Sequence, residues 1–357
     1  MKRIPTLDGW RAVAIIMVVV CHLGECFYPQ PADYAMSPAL YGAFGVDIFF
    51  GLSGLLITRL LLEEFRLTGS FHLARFYWRR AFRILPAYFA FLIAFTIWGV
   101  WQSGWEVASC LLFFRNYVPE AVAGRGTQHL WSLSVEEHFY LFWPGFLVWL
   151  GVRRAKNWPA YLALSLGLWR IVDSQLATPL FPGVFYRFRT DLRLDALLWG
   201  CAVAFLLDDR QSREKLTKQL PFAGWLAVAG IIAVSMKYFT PLTSIMIATL
   251  IPFLLAGTLL HPGWLLSRVL DSGPVVWLGR MSYSLYLWQA IFLIPAWEHP
   301  QGWWHLWPAN LILSVLAATA CHYLVEKPCI RLGQRAAERF SAAAAREVDA
   351  ASPVAAA

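Results

Sequence analysis

Residues 10–27 read WRAVAIIMVVVCHLGECF, and this stretch decides the fold class. Cysteines aside, its only ionisable side chains are Arg11, His22 and Glu25. A helix that crosses a bilayer needs about 20 mostly apolar residues, each rising about 1.5 Å. Comparable runs recur at about 42–62, 84–102, 138–151, 158–173, 193–207, 221–237, 243–260, 281–297 and 304–325, which makes ten. The fold expected is all-α: a polytopic integral membrane bundle of about ten transmembrane helices. Residues 1–330 form its single transmembrane domain. The stretch 331–357, rich in Ala and charge, reads as a cytoplasmic tail, helical or frayed and poorly ordered as a whole.

Composition agrees. Of 357 residues, 59% are apolar or aromatic and 15% are charged, against about 45–50% and about 25% in soluble domains. So much apolar surface must face lipid. The 19 Trp, 13 Tyr and 25 Phe suit the same solvent, because aromatic rings collect where hydrocarbon meets water. Disorder, collagen-like repeats and a soluble nucleic-acid binder are excluded, and membrane topology accounts for the net charge of +8. Cys21, Cys26, Cys110, Cys201, Cys321 and Cys329 form no CxxC pair and no Cys/His cluster, so neither a metal nor a disulfide framework is expected. Met1-Lys2-Arg3 before an apolar run imitates a secretory signal, but Asp8 and Arg11 interrupt it and no small-residue cleavage site follows. The first segment therefore reads as a retained span.

Lysine and arginine orient the spans. With the N-terminus in the cytoplasm, about 23 of the 30 basic residues fall inside, including those in 59–83, 153–156, 210–218 and 327–346. Arg115, Arg125, Arg170, Arg187, Arg189, Arg193 and Lys237 fall outside. Both termini are then cytoplasmic. Four of the outer arginines crowd into 170–193, a local exception that suggests function.

Charged groups within spans cost free energy and mark function by default. Asp8 and Arg11, three apart, pair on one helix face. His22 follows Arg11 by about three turns and shares that face, roughly 18 Å beyond Trp10. Asp47 enters the second span at a similar depth, so it is expected to face His22, fix its tautomer and raise its basicity. Asp47, Gly51 and Gly54 share a face that reads equally as helix packing or as a groove for a slender substrate.

The segment FHLARFYWRRAFRILP (71–86) places Arg75, Arg79, Arg80 and Arg83 at helical spacing among aromatic residues. It reads as a helix at the cytoplasmic surface. Its arginines either anchor it to lipid headgroups or cradle the phosphates of a donor such as coenzyme A. Trp131, Glu136 and Glu137 stand at the outer end of the fourth span, where the carboxylates would also suit a helix N-terminus. Arg193 and Asp195 open the sixth. Charge from four spans thus falls near one depth.

These residues carry a resemblance. Leu7–Ala12 with His22, Gly45–Gly54, Phe76–Pro86, Trp131–Tyr140, Arg193–Asp195, Ser282–Trp288 and Glu326–Pro328 resemble, in order, the motifs of the membrane acyltransferase-3 family. The resemblance implies a ten-span enzyme of a bacterial inner membrane that acylates hydroxyls of envelope sugars with cytoplasmic acyl-CoA. It implies His22 as the essential base and the Arg79/Arg80/Arg83 region as the donor site. Asp8, Arg11, Asp47, Glu136 and Arg193 match other motif positions. Where many relatives carry a second histidine after SYSLYLW, this chain has Gln289, so no role for a histidine transfers there. The chain ends soon after the tenth segment, without the hydrolase-like domain of longer relatives, so acceptor choice is expected to rest in the bundle and its outer loops.

The expected reaction is O-acyl transfer, foremost of acetyl from acetyl-CoA, to a carbohydrate or other hydroxyl-bearing acceptor. His22 deprotonates the hydroxyl, and Arg11 or Arg193 stabilises the oxyanion. A covalent acyl-histidine stays open beside direct transfer. Catalysis is assigned to His22, Asp47, Asp8, Arg11 and Glu136, and donor binding to Arg75, Arg79, Arg80 and Arg83. Acceptor binding is assigned to Arg193, Asp195, Glu137 and Trp131. The alternative is a transporter or flippase of a lipid-linked glycan. The lack of an evident internal repeat and the basic aromatic segment both count against it.

Overall fold

The computed structural model describes residues 4–98, 101–119, 121–176, 188–220, 222–238, 240–298 and 302–337. Among them are helices and no strand. The ten longest helices are α1 (Pro5–Phe27), α2 (Gly45–Thr68), α3 (Leu73–Ile97), α4 (Trp131–Leu150), α5 (Trp158–Gln175), α6 (Leu194–Asp208), α7 (Phe222–Met236), α8 (Pro241–Leu260), α9 (Gly273–Phe292) and α10 (Ala309–Cys321). Each expected span thus falls on a helix. By length and apolarity, however, five helical stretches suffice to cross a bilayer alone, or six if Arg210–Gln219 and Gly224–Met236 form one bent span. The sequence count admitted shorter and more polar runs. Helix α6, with 15 residues, rises only about 22 Å against a hydrocarbon core of about 30 Å.

The outside of the bundle is apolar. Phe142, Trp149, Leu168, Leu316 and Leu324 are exposed, and a water-soluble monomer rarely displays so much apolar surface. Inside, α1 packs on α9 and α2, α2 on α6, and α9 on α10. The small-residue face of α2 is helix packing. A Cβ on Gly54 would lie 1.9 Å from the Leu197 carbonyl oxygen of α6, and one on Gly200 would lie 2.4 Å from the Gly51 carbonyl oxygen. Nothing as wide as a substrate chain passes there.

One expectation changes. The basic segment is not a separate surface helix, because α3 runs unbroken from Leu73 through Pro86 to Ile97. Membrane helices tolerate such prolines when neighbours hold the backbone, and here Tyr283 Oη donates to the Ile84 carbonyl at 2.9 Å. Its arginines therefore climb into the bundle. At the other end, α10 continues through one π-helical turn, His322–Glu326, and on to Ala337. The first seven residues of the expected tail are thus helical. Residues 338–357, like Arg187, lie outside the described residues.

Candidate active site

Helices α1, α2, α3, α4 and α9 surround a cleft of about 80 Å³. Arg11, Arg80 and Arg83 line it together with Glu136, Ser53 and Tyr140. The Glu136 carboxylate accepts from Ser53 Oγ at 2.9 Å and from Tyr140 Oη at 2.8 Å, so both of its oxygens are engaged. The Arg80 guanidinium lies 4.6 Å over the Tyr140 ring. Arg11 donates to Asp8 at 3.0 Å, as its spacing predicted, and Asp8 also meets Arg280 of α9 at 3.4 Å. Three guanidinium groups facing one small space suit an anion, since the planar fork matches phosphate oxygens. The volume admits a few waters' worth of ligand, a phosphate or a slender arm, and not a whole nucleotide.

A second chamber of about 640 Å³ holds His22. That volume falls within the range usual for small-molecule sites, about 300–1,000 Å³. Phe95, Trp98, Trp303 and Trp304 supply aromatic wall, and His129 and His305 add imidazoles. His305 is engaged, with Nε2 accepting from Trp304 Nε1 at 2.9 Å and Nδ1 lying 3.2 Å from the Phe292 carbonyl oxygen. Tyr286 stands between the two spaces. It lines the arginine cleft, and its hydroxyl bonds Ser132 Oγ at 2.7 Å and donates to the backbone carbonyl of His129, whose ring lines the larger chamber.

The structure regroups the remaining candidates. Asp47 does not face His22. Its Oδ1 accepts from Arg193 at 2.8 Å, and that guanidinium also sits 5.5 Å from the Phe50 ring and 5.6 Å from the Trp131 ring. The reason lies in the turn Pro38–Phe44, which lays Gly42 against Met17 and Cys21, and then Gly45 against Ala14. By Asp47 the chain has descended about two turns of α1 below His22. Asp195 is taken by Arg170 at 2.6 Å, both fully buried. Trp131 stacks on Phe188 at 4.8 Å, and Glu137 is half-buried with Oε1 unpartnered. None of Asp47, Arg193, Asp195, Glu137 and Trp131 lines either space. Arg75 turns away to Glu64 at 3.6 Å, and Arg79 is absent from the cleft wall too. Of the four arginines of 71–86, the two that converge are Arg80 and Arg83, three apart. Glu136 and Glu137 begin their second turn on α4, so neither caps its N-terminus.

Two residues escaped the sequence reading as site groups. His129 belongs to a 3-10 turn, Arg125–Leu130, where no helical period points anywhere. Gln289 drew notice only as a departure from a motif, yet its side chain lies against His22. Among the described residues, no three His, Cys, Asp or Glu side chains are disposed to hold a metal ion.

Comparison with known proteins agrees with this architecture. The acyltransferase domain family matches residues 4–326. The chain is 30% identical to the peptidoglycan O-acetyltransferase OatA of Listeria monocytogenes, over 80% of this chain and 49% of that protein. It is 30% identical to the putative peptidoglycan O-acetyltransferase YrhL of Bacillus subtilis, over 95% and 56%. It is 28% identical to the O-acetyltransferase OatA of Staphylococcus aureus, over 94% and 58%. The chain thus spans about half the length of the curated relatives it matches. No solved structure matches it. With the motifs in order along one helical bundle and a family match over nearly its whole length, this chain belongs to the membrane acyltransferase-3 family.

Proposed function

We propose that this integral membrane protein transfers an acyl group, foremost acetyl, from acyl-CoA to a hydroxyl of an envelope carbohydrate, with His22 as general base. One observation carries the reading. An arginine-lined cleft and a chamber that holds a histidine meet at a shared wall of Tyr286, Ser132 and His129. The donor's phosphates or slender arm suit the arginine side, and an acceptor hydroxyl suits the chamber of His22. Flat aromatic walls there fit the apolar faces of sugar rings. The names of the relatives, peptidoglycan O-acetyltransferases, point to the same acceptor class.

His22 would take the hydroxyl proton as the acceptor oxygen attacks the thioester carbonyl, and return it to the departing thiolate. Asp8 holds Arg11 at the cleft, and Glu136 balances Arg80 beside it. Asp47 and Arg193 pin α2 to the start of α6. Arginine and lysine counts support a donor entering from the cytoplasm, with both termini on that side of a bacterial inner membrane. The test is direct. Purified protein in lipid nanodiscs, given acetyl-CoA and soluble peptidoglycan fragments, should release CoA and yield fragments heavier by one acetyl group. CoA release without acetylated fragments would remove the sugar acceptor, and no release would remove the donor.

A further inference from the structure

Two tryptophans on the wall of the His22 chamber stay exposed, Trp303 at 64% and Trp304 at 43%. Exposed side chains ordinarily move between rotamers, but Trp304 is held. Its Nε1–H donates to His305 Nε2 at 2.9 Å, so the proton of the neutral imidazole sits on Nδ1, 3.2 Å from the Phe292 carbonyl oxygen at the end of α9. Buried Asn310 of α10 donates in turn to the His305 carbonyl at 3.1 Å. The six-membered ring of Trp304 lies on Gly302, where a Cβ would come within 2.8 Å of three ring carbons. The φ of +96° at that residue is one that glycine adopts freely. Trp303 meets Trp304 at 77° with centroids 6.1 Å apart, so the two indoles form a corner with one wall fixed. Beside it the chamber turns polar. Arg125 meets Glu298 at 3.3 Å, and Gln102 and Gln128 bring carboxamides. Trp307 packs at 5.9 Å on Phe27, the last residue of α1, which sets this turn near the end of that helix. His22 lies five residues, roughly 7.5 Å of rise, further in.

We propose that Trp304, cornered by Trp303, is the platform on which the acceptor stacks a second pyranose ring, one unit away from the ring whose hydroxyl reaches His22. The inference rests on the acyl-transfer reading above and makes its acceptor a chain of at least two sugars. The C–H face of a pyranose is flat and apolar, and its edge carries hydroxyls. Laid on an indole, that face removes apolar area from water on both partners, while the carboxamides and the ion pair of the wall serve the hydroxyls. An indole already held by Gly302 and His305 gives up little freedom when a ring covers it, so little of the contact is lost to ordering. The offset along α1 is about one sugar unit, and a chamber of about 640 Å³ exceeds what a single ring fills. A tryptophan that only anchored its turn at the lipid interface would need neither a fixed rotamer nor a place on the chamber wall.

The test uses the full chain in lipid nanodiscs with two acceptor probes, the monosaccharide N-acetylmuramic acid and a soluble peptidoglycan tetrasaccharide. Calorimetry without donor reads binding, and CoA release at saturating acetyl-CoA reads transfer. Wild type should bind the tetrasaccharide about tenfold or more tightly than the monosaccharide. Trp304→Leu keeps apolar bulk and loses the flat face. It should weaken tetrasaccharide binding and raise its KM about tenfold, with kcat and the KM for acetyl-CoA unchanged and the monosaccharide unaffected. Trp304→Phe keeps a smaller flat face and should show a lesser loss of the same kind; it decides the matter if the Leu variant fails to elute and melt as wild type does. Wild-type affinity for the tetrasaccharide in a folded variant would overturn the platform, and so would an equal loss for the monosaccharide. Those results beside normal CoA release would overturn this inference alone. Tetrasaccharide binding that depends on Trp304, without any CoA release, would overturn the acyl-transfer reading and leave the platform standing.

Discussion

Replacing Arg83 by alanine removes one of three guanidinium groups from the small cleft while its frame stays in place. Arg80 remains over Tyr140, Glu136 keeps its bonds to Ser53 and Tyr140, and Tyr283 still ties α9 to α3 at Ile84. The loss is therefore one charged contact. If Arg83 holds a donor phosphate, that contact is worth roughly 1.5–3 kcal/mol, so the KM for acetyl-CoA should rise about 10- to 150-fold. The acceptor's KM should change little. Arg83→Lys should recover only part, because an ammonium keeps the charge and loses the planar fork. The assay is CoA release in nanodiscs at varied donor and fixed acceptor, then the reverse, on both variants. An unchanged donor KM, or full recovery with lysine, would refute phosphate binding and leave Arg83 as a membrane-positioning charge.

Three further outcomes follow from the packing. Arg193→Ala strands the buried Asp47 carboxylate and should cost about 3–5 kcal/mol of stability, and the double change Arg193→Met with Asp47→Leu should cost clearly less. Melting in detergent checks this, and equal losses would contradict a buried pair. Gly54→Ala places a Cβ 1.9 Å from the Leu197 carbonyl oxygen, so α2 and α6 must part, at about 1–3 kcal/mol or more; an unaltered melting temperature would contradict the close crossing. In intact cells, Lys237→Cys should react with an impermeant maleimide, whereas Lys156→Cys and Lys218→Cys should react only after permeabilisation. Labelling at position 156 from outside would reverse the proposed orientation.

Hydrophobic run length made the helical architecture legible, because backbone groups in lipid must be satisfied within the segment. The Asp8–Arg11 pair was equally readable, since helical spacing fixes such neighbours. Contacts between helices were less so. Asp47 and His22 looked level by counting inward from their span ends, but the turn Pro38–Phe44 consumed the difference and delivered Asp47 to Arg193, 146 residues away. Helical spacing singled out Arg75, Arg79, Arg80 and Arg83 together, and only the packing of α3 separates Arg80 and Arg83, which line the cleft, from Arg75 and Arg79, which do not. Of the charge expected to converge from four spans, Asp47 closed on Arg193 and Asp195 on Arg170, pairings that only the rotation of each helix decides. His129 carried no periodic signal. A histidine two residues before the Trp131 that opens α4 was the only clue available.

The central claim is that the imidazole of His22 moves the proton in acyl transfer, and its direct test is acetyl transfer by His22→Ala. The side chain lines a chamber, so the variant should insert, elute and melt as wild type does. General-base catalysis contributes about 100- to 10,000-fold, so CoA release should fall to about 1% or less at saturating acetyl-CoA, with the donor KM unchanged. A folded His22→Ala protein that keeps more than roughly a tenth of the wild-type rate contradicts the account.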